Sequence, residues 1–428
     1  MSRFVIERAD GEQRVLGGYK LGAPPPDAKQ YATRSDALPA KIDLRKWMST
    51  VEDQGQTNSC AANATAGAYE YLMKRHLGES GYDVSRMFIY YNARAASGAA
   101  IEDEGAVLTD VIETLRANGA CSEQTWPFEP SNVNEAPDDG AFNEASQFKV
   151  DDVQQVPTEL AAWKSALADG HPIIFGLKLF GSFDKQRKPG LVPLPSRTEG
   201  GRESHGGHAM LCVGYSDPDQ VFIVRNSWGD GWGDKGYCYI PYDYVMNPDF
   251  NYGDSWVIHR VDLLGPPDDA IGEDQTSLLE DVGTFLGQLD DESYSNLLES
   301  MGDIHLERRL ALLFLRVVAA DGNATEEELA AAAEFLAPAL ETMGARVDAA
   351  RLLQRTANVA NDDALLEETV AIFADHVPPE VLASLANQLQ EAAGADGEIA
   401  QEEADVLNAI LSVWQLGEEP SEEESAVT

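Results

Sequence analysis

From about residue 276 to residue 416 the sequence contains no convincing strand. It is rich in Leu and Ala with Glu between them and reads as helix throughout. Residues 38–263 are different. They open with helical, amphipathic runs, "AANATAGAYEYLMKRH" and "AVLTDVIETLRANG", the second closed by a Gly C-cap signal. They then turn to apolar, β-rich runs, "HPIIFGLKLF", "HAMLCVGYSD", "QVFIVRNSW" and "GYCYIPY", with turn residues between them. This order predicts an α+β body, helices first and strands later, followed by an all-α body. A length of 428 residues suits such a division. The break falls at "LLGPPDDAIGEDQTS", whose Pro-Pro, Asp-Asp and Gly are linker chemistry. The expected boundaries are a polar, Pro-rich extended segment over 1–37, the α+β domain over 38–263 and a linker over 264–275. A helical domain over 276–416 and an acidic disordered tail over 417–428 follow.

Charge narrows the function classes. Lys and Arg number 31 against 73 Asp and Glu, a net charge of −42. Nucleic acid and anionic membrane are poor partners for such a chain, because binding phosphate needs clustered cations. No apolar run approaches the roughly 18 residues a membrane span needs, and "MSRFVIERADGEQRV" has no apolar signal core. Four cysteines in a chain this long make no disulfide framework. The expectation is a soluble protein of a reducing compartment, the cytoplasm, with Cys60, Cys121, Cys212 and Cys238 as free thiols. The last three read as small buried hydrophobes.

Cys60 stands apart. It lies in "EDQGQTNSCAANATAGAYEY", where a polar, Gly-containing lead-in meets the Ala-rich helix. A helix N-terminus and a neighbouring imidazolium both favour the thiolate. "ESHGGHAMLCVGYSD" offers His205 and His208; His208 opens a strand-like run that can hold it rigidly, and His205 reads as a loop residue. An imidazole in this role is oriented by a third group, commonly an Asn or Asp. Asn226 in "VRNSWGDGWGDKGY" ends the next strand-like run. Acyl transfer also needs donors aimed at the developing oxyanion. Gln54, six residues before Cys60, offers a side-chain amide beside the Cys60 N–H. A thiol activated in this way should be alkylated at mildly acidic pH. The Gly-rich "WGDGWGDKG" is followed by neither a helix nor a Lys-Ser/Thr pair, so it reads as a tight turn and not a phosphate loop.

"DQGQTNSCAANA", "GGHAMLCVGY" and "VRNSWGDGWGDKGY" resemble, in order, the three active-site blocks of papain-like cysteine peptidases. "IDLRKW", "RMFIYYNAR" and "WPF" resemble bacterial members of that family. The resemblance implies a papain-like α+β fold, a helical half plus a β-sheet half, over about 38–263. It implies Cys60 as nucleophile, His208 as general base and acid, Asn226 as the orienting amide, Gln54 as oxyanion donor and Trp228 as the indole covering the Asn–His pair. It also implies a peptide or protein substrate and no cofactor for catalysis. His208 follows Cys60 by 148 residues, within the family's range. There are departures: Thr57 stands where secreted relatives have a Cys, Asn58 where they have a Gly, and Ala61 where they have an aromatic. Residues 1–37 are too short for the family's usual helical pro-segment, so restraint of activity is expected from elsewhere or is expected to be absent. Glu104-Gly105 falls where relatives place one wall of the cleft; a helix N-terminal acidic turn is the other reading. Two further functions use the same scaffold: a catalytically weak peptide-binding protein, and a thiol acyltransferase.

The helical half repeats internally. "VVAADGNATEEELAAAAEFL" and "EAAGADGEIAQEEADVLNAIL" each carry Ala-Asp-Gly with a Glu seven residues after the Asp, pairing Asp321 with Glu328 and Asp396 with Glu403. Two readings stay open. Hard oxygens at this spacing suit Ca²⁺ or Mg²⁺. Thr325 with Glu328 also makes a capping box, and Gly322 and Gly397 end the preceding helices. The repeats and their helical context resemble the tellurite-resistance TerB-like domain. That resemblance implies metal binding, regulation or recruitment of a protein partner.

Overall fold

The computed structural model describes residues 4–261 and 284–416, apart from positions 10, 26–27, 35–36, 78–82, 99–100, 148, 202–204, 321, 323, 325, 346 and 396–398. Contacts divide the chain into two compact units. One comprises Met1–Ile6 and Arg14–Glu280, the other Glu7–Gln13 and Asp281–Thr428.

The first unit joins a helical half to a β-sheet half, as the order of sequence patterns implies. The helical half is built on α1 (Cys60–Leu77), α2 (Arg86–Ala96) and α3 (Leu108–Asn118). Each is bounded by local chemistry. Ser85 caps α2 by accepting from the Phe88 N–H. Gly119, at φ 75°, ends α3 as its sequence suggested. Lys74, Arg75 and His76 fall in the last turn of α1, where cations suit the helix dipole. Two shorter helices, α4 (Asp139–Ala145) and α5 (Leu160–Ala168), follow.

Short strands β1 (Phe4–Glu7) and β2 (Gln13–Leu16) pair with each other, and β3 (Tyr19–Lys20) pairs in parallel with β6 (Ala106–Val107). The main sheet has the order β11-β10-β9-β8-β12-β7-β4, with β5 also on β9. Its members are β4 (Lys29–Gln30), β5 (Lys41–Asp43), β7 (Val150–Gln155), β8 (Ile173–Leu179), β9 (Gly206–Ser216), β10 (Val221–Arg225), β11 (Tyr237–Pro241) and β12 (Asn251–Val261). The four β-rich runs of the sequence are β8 to β11. Their residues do not alternate because both faces are covered; all five of β10 are buried. At Gly214 of β9 an added Cβ would stand 2.2 Å from the Ile42 carbonyl oxygen, so only Gly admits β5 there. The "WGDGWGDKG" stretch is a tight turn, with Gly229, Gly233, Lys235 and Gly236 all at positive φ.

The described part of the second unit, from residue 284 on, is all helix. Leu306–Val318 is its central element, with Leu310, Leu313, Phe314 and Val317 essentially inaccessible. Helices Glu326–Met343, Ala349–Thr356, Asp363–His376, Pro379–Ala393 and Gln401–Val413 pack on it. The buried Arg309 is paired through both terminal nitrogens, which donate to Thr369 Oγ1 (3.1 Å), the Met301 carbonyl (2.8 Å) and Glu368 (3.0 Å). A buried cation is tolerated only when paired in this way.

Candidate active site

Cys60 is the first residue of α1, and it is 1% exposed. Its Sγ lies within hydrogen-bonding reach of the backbone N–H groups of Ala61, of Ala209 and of Cys60 itself. Ala209 follows His208 on β9, so the sulfur sits where the helix start meets the sheet.

His208 stands opposite Leu177 of β8 and is also 1% exposed. Its Nε2 is 2.8 Å from Asn226 Oδ1. The same Oδ1 accepts the Ser227 N–H at 2.9 Å, which identifies that atom of Asn226 as the oxygen. Nε2 must therefore carry the proton, and Nδ1 is the basic nitrogen of the ring. The Trp228 indole lies 5.4 Å from the imidazole, centroid to centroid, and is itself backed by Phe183 and Trp232. His205 is half-buried against Phe180, in the loop just before the strand that carries His208.

Gln54 is tied to the segment that carries Asn226. Its N–H donates to the Ser227 carbonyl at 2.9 Å. The Ser227 hydroxyl donates to Gln54 Oε1 at 2.6 Å. With Oε1 fixed by that bond, Nε2 must point the other way, and one of its hydrogens goes to the Thr57 carbonyl at 2.8 Å. Beneath this lies a buried ionic layer that the sequence did not reveal. Arg225 donates to the carbonyls of Ser49 and Thr50, and Glu70 of α1 accepts from Ser49 Oγ and the Val84 N–H. Arg86 pairs with Glu52 at 2.9 Å. These contacts anchor residues 49–52 just before Gln54. Burial and the neighbouring Glu70 push the Glu52 carboxyl up to about 8.

Electrostatically the site is dry. Burial pushes the Cys60 thiol up to about 11, against the pull of the three N–H groups. Burial also pushes His208 down to about 4, against the pull of Asn226. Both shifts are the penalty for one isolated charge. They run opposite to the mildly acidic activation that the motif alone suggested. The remaining three cysteines are buried free thiols, as expected.

What covers the cleft lies in the segment that the sequence presented only as an extended lead-in. Gly18 rests on Asn58, and Tyr19 fills a space beside Gly176 and Gly207 with its hydroxyl on Asp254. The legible signal was Gly17-Gly18-Tyr19, two glycines before an aromatic, which lets a backbone approach closely.

In the helical unit, Glu328 and Glu403 are both buried, 5% and 1% exposed, and Glu403 accepts the Ala400 N–H at 2.8 Å, a helix-start bond. Asp321, Asp396 and Thr325 lie outside the described residues. Among the described residues no three His, Cys, Asp or Glu side chains come together as a metal site.

Comparison with known proteins follows this geometry. A family profile described as "Papain family cysteine protease" matches residues 38–248, and one described as "Tellurite resistance protein TerB" matches residues 307–423. An uncharacterized peptidase C1-like protein, L477, of Acanthamoeba polyphaga mimivirus is 36% identical over 235 residues, covering 51% of this chain and 74% of that protein. Cathepsin K of Gallus gallus is 28% identical, covering 53% of this chain and 67% of its own. Among solved structures, xylellain, a cysteine protease from Xylella fastidiosa, aligns with a TM-score of 0.52 at 33% identity, covering 57% of this chain and 96% of that one.

Proposed function

The chain belongs to the papain family of cysteine proteases, and on that footing we propose that it hydrolyses peptide bonds through a thioester on Cys60. The observation that carries the reading is the 2.8 Å bond from His208 Nε2 to Asn226 Oδ1, on a strand whose next residue, Ala209, turns its N–H toward the Cys60 sulfur. Three separate elements converge on one thiol. As Sγ attacks the peptide carbonyl carbon, its proton passes to His208 Nδ1. The carbonyl oxygen takes the electron pair and is met by the Cys60 N–H and the second hydrogen of Gln54 Nε2. The C–N bond then breaks as His208 returns the proton to the departing amine. Water, giving its proton to His208, attacks the thioester and restores the thiol. Moving the proton from sulfur to ring creates a paired charge. The desolvation that opposes either charge alone opposes the pair far less.

The four free thiols support a reducing compartment, and the cytoplasm is proposed. No helix among the described residues is long and apolar enough to cross a membrane. For the helical module, which matches TerB, a role in regulation or in recruiting a protein partner is proposed. A Ca²⁺ or Mg²⁺ role rests on Asp321 and Asp396, whereas the Glu403 cap supports a structural role for that residue.

The test is digestion of an unfolded protein by the full chain in heavy-oxygen water, with products read by mass. New carboxyl termini carrying the label, absent with Cys60→Ala, are expected. Acyl transfer to added amines without labelled carboxylates would replace hydrolysis with a transferase; unaltered cleavage by Cys60→Ala would remove the mechanism.

A further inference from the structure

The two donors assigned to the oxyanion stand at the ends of a short loop. Gln54 and Cys60 are separated by five residues, Gly55 to Ser59, that form neither helix nor strand. Loop backbone has no ladder of its own and is more mobile than the elements it joins. Within this loop a chain of hydroxyls runs from one end to the other. Thr57 Oγ1 spends its one hydrogen on the Gln54 carbonyl at 2.7 Å, so at the 2.7 Å contact between the two hydroxyls Ser59 is the donor. That leaves the Ser59 oxygen free to accept from behind.

Behind the loop, one guanidinium touches both of its ends. Arg86 opens α2 and is 7% exposed. On the Gln54 side it pairs with the Glu52 carboxylate at 2.9 Å, and its Nη1 donates to the Asp53 carbonyl at 3.4 Å. The Asp53 carboxylate is taken separately by Arg14, at 3.0 and 2.9 Å. On the Cys60 side the same Nη1 donates to Asn63 Oδ1 at 3.2 Å. A cation fixes that atom of Asn63 as the oxygen, so Nδ2 faces away from it. Nδ2 donates to the Ser59 carbonyl at 3.0 Å and to Ser59 Oγ at 2.9 Å, on the residue that precedes the nucleophile. The guanidinium is itself held: Nη2 reaches Glu123 at 3.4 Å, and its carbon lies 4.1 Å from the Phe128 ring centroid. Asp53 is bonded to Gln54 and Ser59 to Cys60, so Arg86 closes a second connection between the two donors, parallel to the loop. An oxyanion is stabilised by donors whose spacing is set before the reaction begins.

We propose that Arg86 is a positioning residue for the oxyanion site: through Glu52 and Asp53 on one side, and Asn63 and Ser59 on the other, it sets the spacing between Gln54 Nε2 and the Cys60 N–H. It acts through the two donors and not on the reacting atoms. The proposal rests on the reading of this site as an acyl-transfer centre. A lysine at the position keeps the charge and loses the planar fork that reaches several acceptors at once.

The experiment reads two rates at Cys60 in the full chain, both by intact mass. One is acylation by a peptide nitrophenyl ester: the sulfur–carbon bond forms, nitrophenolate leaves, and the thiol proton passes through His208 to water. That step crosses an oxyanion. The other is alkylation by iodoacetamide, in which the sulfur–carbon bond forms, iodide leaves and the thiol proton goes to water without any oxyanion. The ratio of the two rates separates the donors from changes in access or thiol ionisation. Arg86→Lys should lower the ratio about 10- to 100-fold, as a misplaced group does. Asn63→Ala, which cuts only the Cys60 side, should lower it as well. Gln54→Ala should lower it about 10²–10³-fold. Adding Arg86→Lys to Gln54→Ala should lower it further by less than about threefold, since a donor that is absent cannot be misplaced. An unchanged ratio in Arg86→Lys, or losses that multiply in the double variant, overturns the proposal. So does an equal fall in both rates, which marks a residue that only holds the fold. If Arg86→Lys does not fold, the same cycle between Asn63→Ala and Gln54→Ala decides. A wild-type acyl-enzyme that forms and is never released to water overturns the hydrolase reading and leaves the positioning role standing; a wild-type thiol that alkylates and never acylates overturns both.

Discussion

The dryness of the closed cleft makes a quantitative prediction about Cys60. Burial raises its pKa from 9.0 to about 11, a shift worth roughly 3 kcal/mol against the lone thiolate. At neutral pH the thiolate fraction in the covered enzyme is then on the order of one in ten thousand, about a hundredfold below a thiol of ordinary pKa. His208, held down to about 4 by burial, stays neutral as well. The perturbation is Tyr19→Ala, which admits water over both groups. Loss of desolvation lowers the thiol and raises the imidazole together, so the proton can pass from sulfur to ring below the ordinary thiol range of about 8.5. The assay is the ultraviolet thiolate band, taken as the difference between each protein and its Cys60→Ala counterpart so that tyrosine ionisation cancels. Wild type should show no thiolate below about pH 9, and Tyr19→Ala should show it near neutrality. A full thiolate band in wild type at mildly acidic pH would refute the reasoning. It would mean that the ion pair already exists beneath the cover and that desolvation does not govern the resting site.

Gln54→Ala should lower kcat by about 10²–10³ by removing an oxyanion donor, and should also cost about 1–3 kcal/mol of stability, because the Thr57 carbonyl and the Ser227 hydroxyl lose their partner. Asn226→Ala should cost less than His208→Ala, since it frees the ring without removing it; a loss as large as that of His208→Ala would show Asn226 doing more than orienting. Ser227→Ala removes the hydroxyl that fixes Gln54 Oε1, so kcat should fall and KM should hold; a rise in KM alone would contradict that positioning role. His171, half-buried and held down to about 4 by desolvation, is neutral in the folded state while the unfolded chain protonates near 6.5. Its contribution is present above about 6.5 and is lost as pH falls toward 4, up to roughly 3 kcal/mol. Urea melts at stepped pH should show that loss shrink in His171→Phe. If the acidic repeats hold Ca²⁺, the cation should raise the melting temperature saturably in wild type and not in the double variant Asp321→Asn with Asp396→Asn; an identical response in both would leave only charge screening.

Much of this was written in local pattern. The helical and β-type runs, their order, and the purely helical second half are properties of neighbouring residues, because periodicity and caps act over a few positions. The three motif blocks announced cysteine peptidase chemistry for the same reason: each needs particular side chains at short spacing. Cys60 at a helix start, Gly119 at a helix end and the turn at 228–236 were legible in this way. Burial was not. Whether Cys60 is wet or dry depends on which distant segment lies over it, and Arg14–Lys20 reaches it through contacts some forty to two hundred residues away in sequence. The floor of the Tyr19 pocket, Asp254, and the layer of Arg225, Glu70, Arg86 and Glu52 are equally non-local. A charge or an aromatic at those positions looks like any other until the sheet brings it under cover. Local pattern names the groups that can react; folding sets their dielectric and their pKa values, because desolvation is a property of the surroundings and not of the residue.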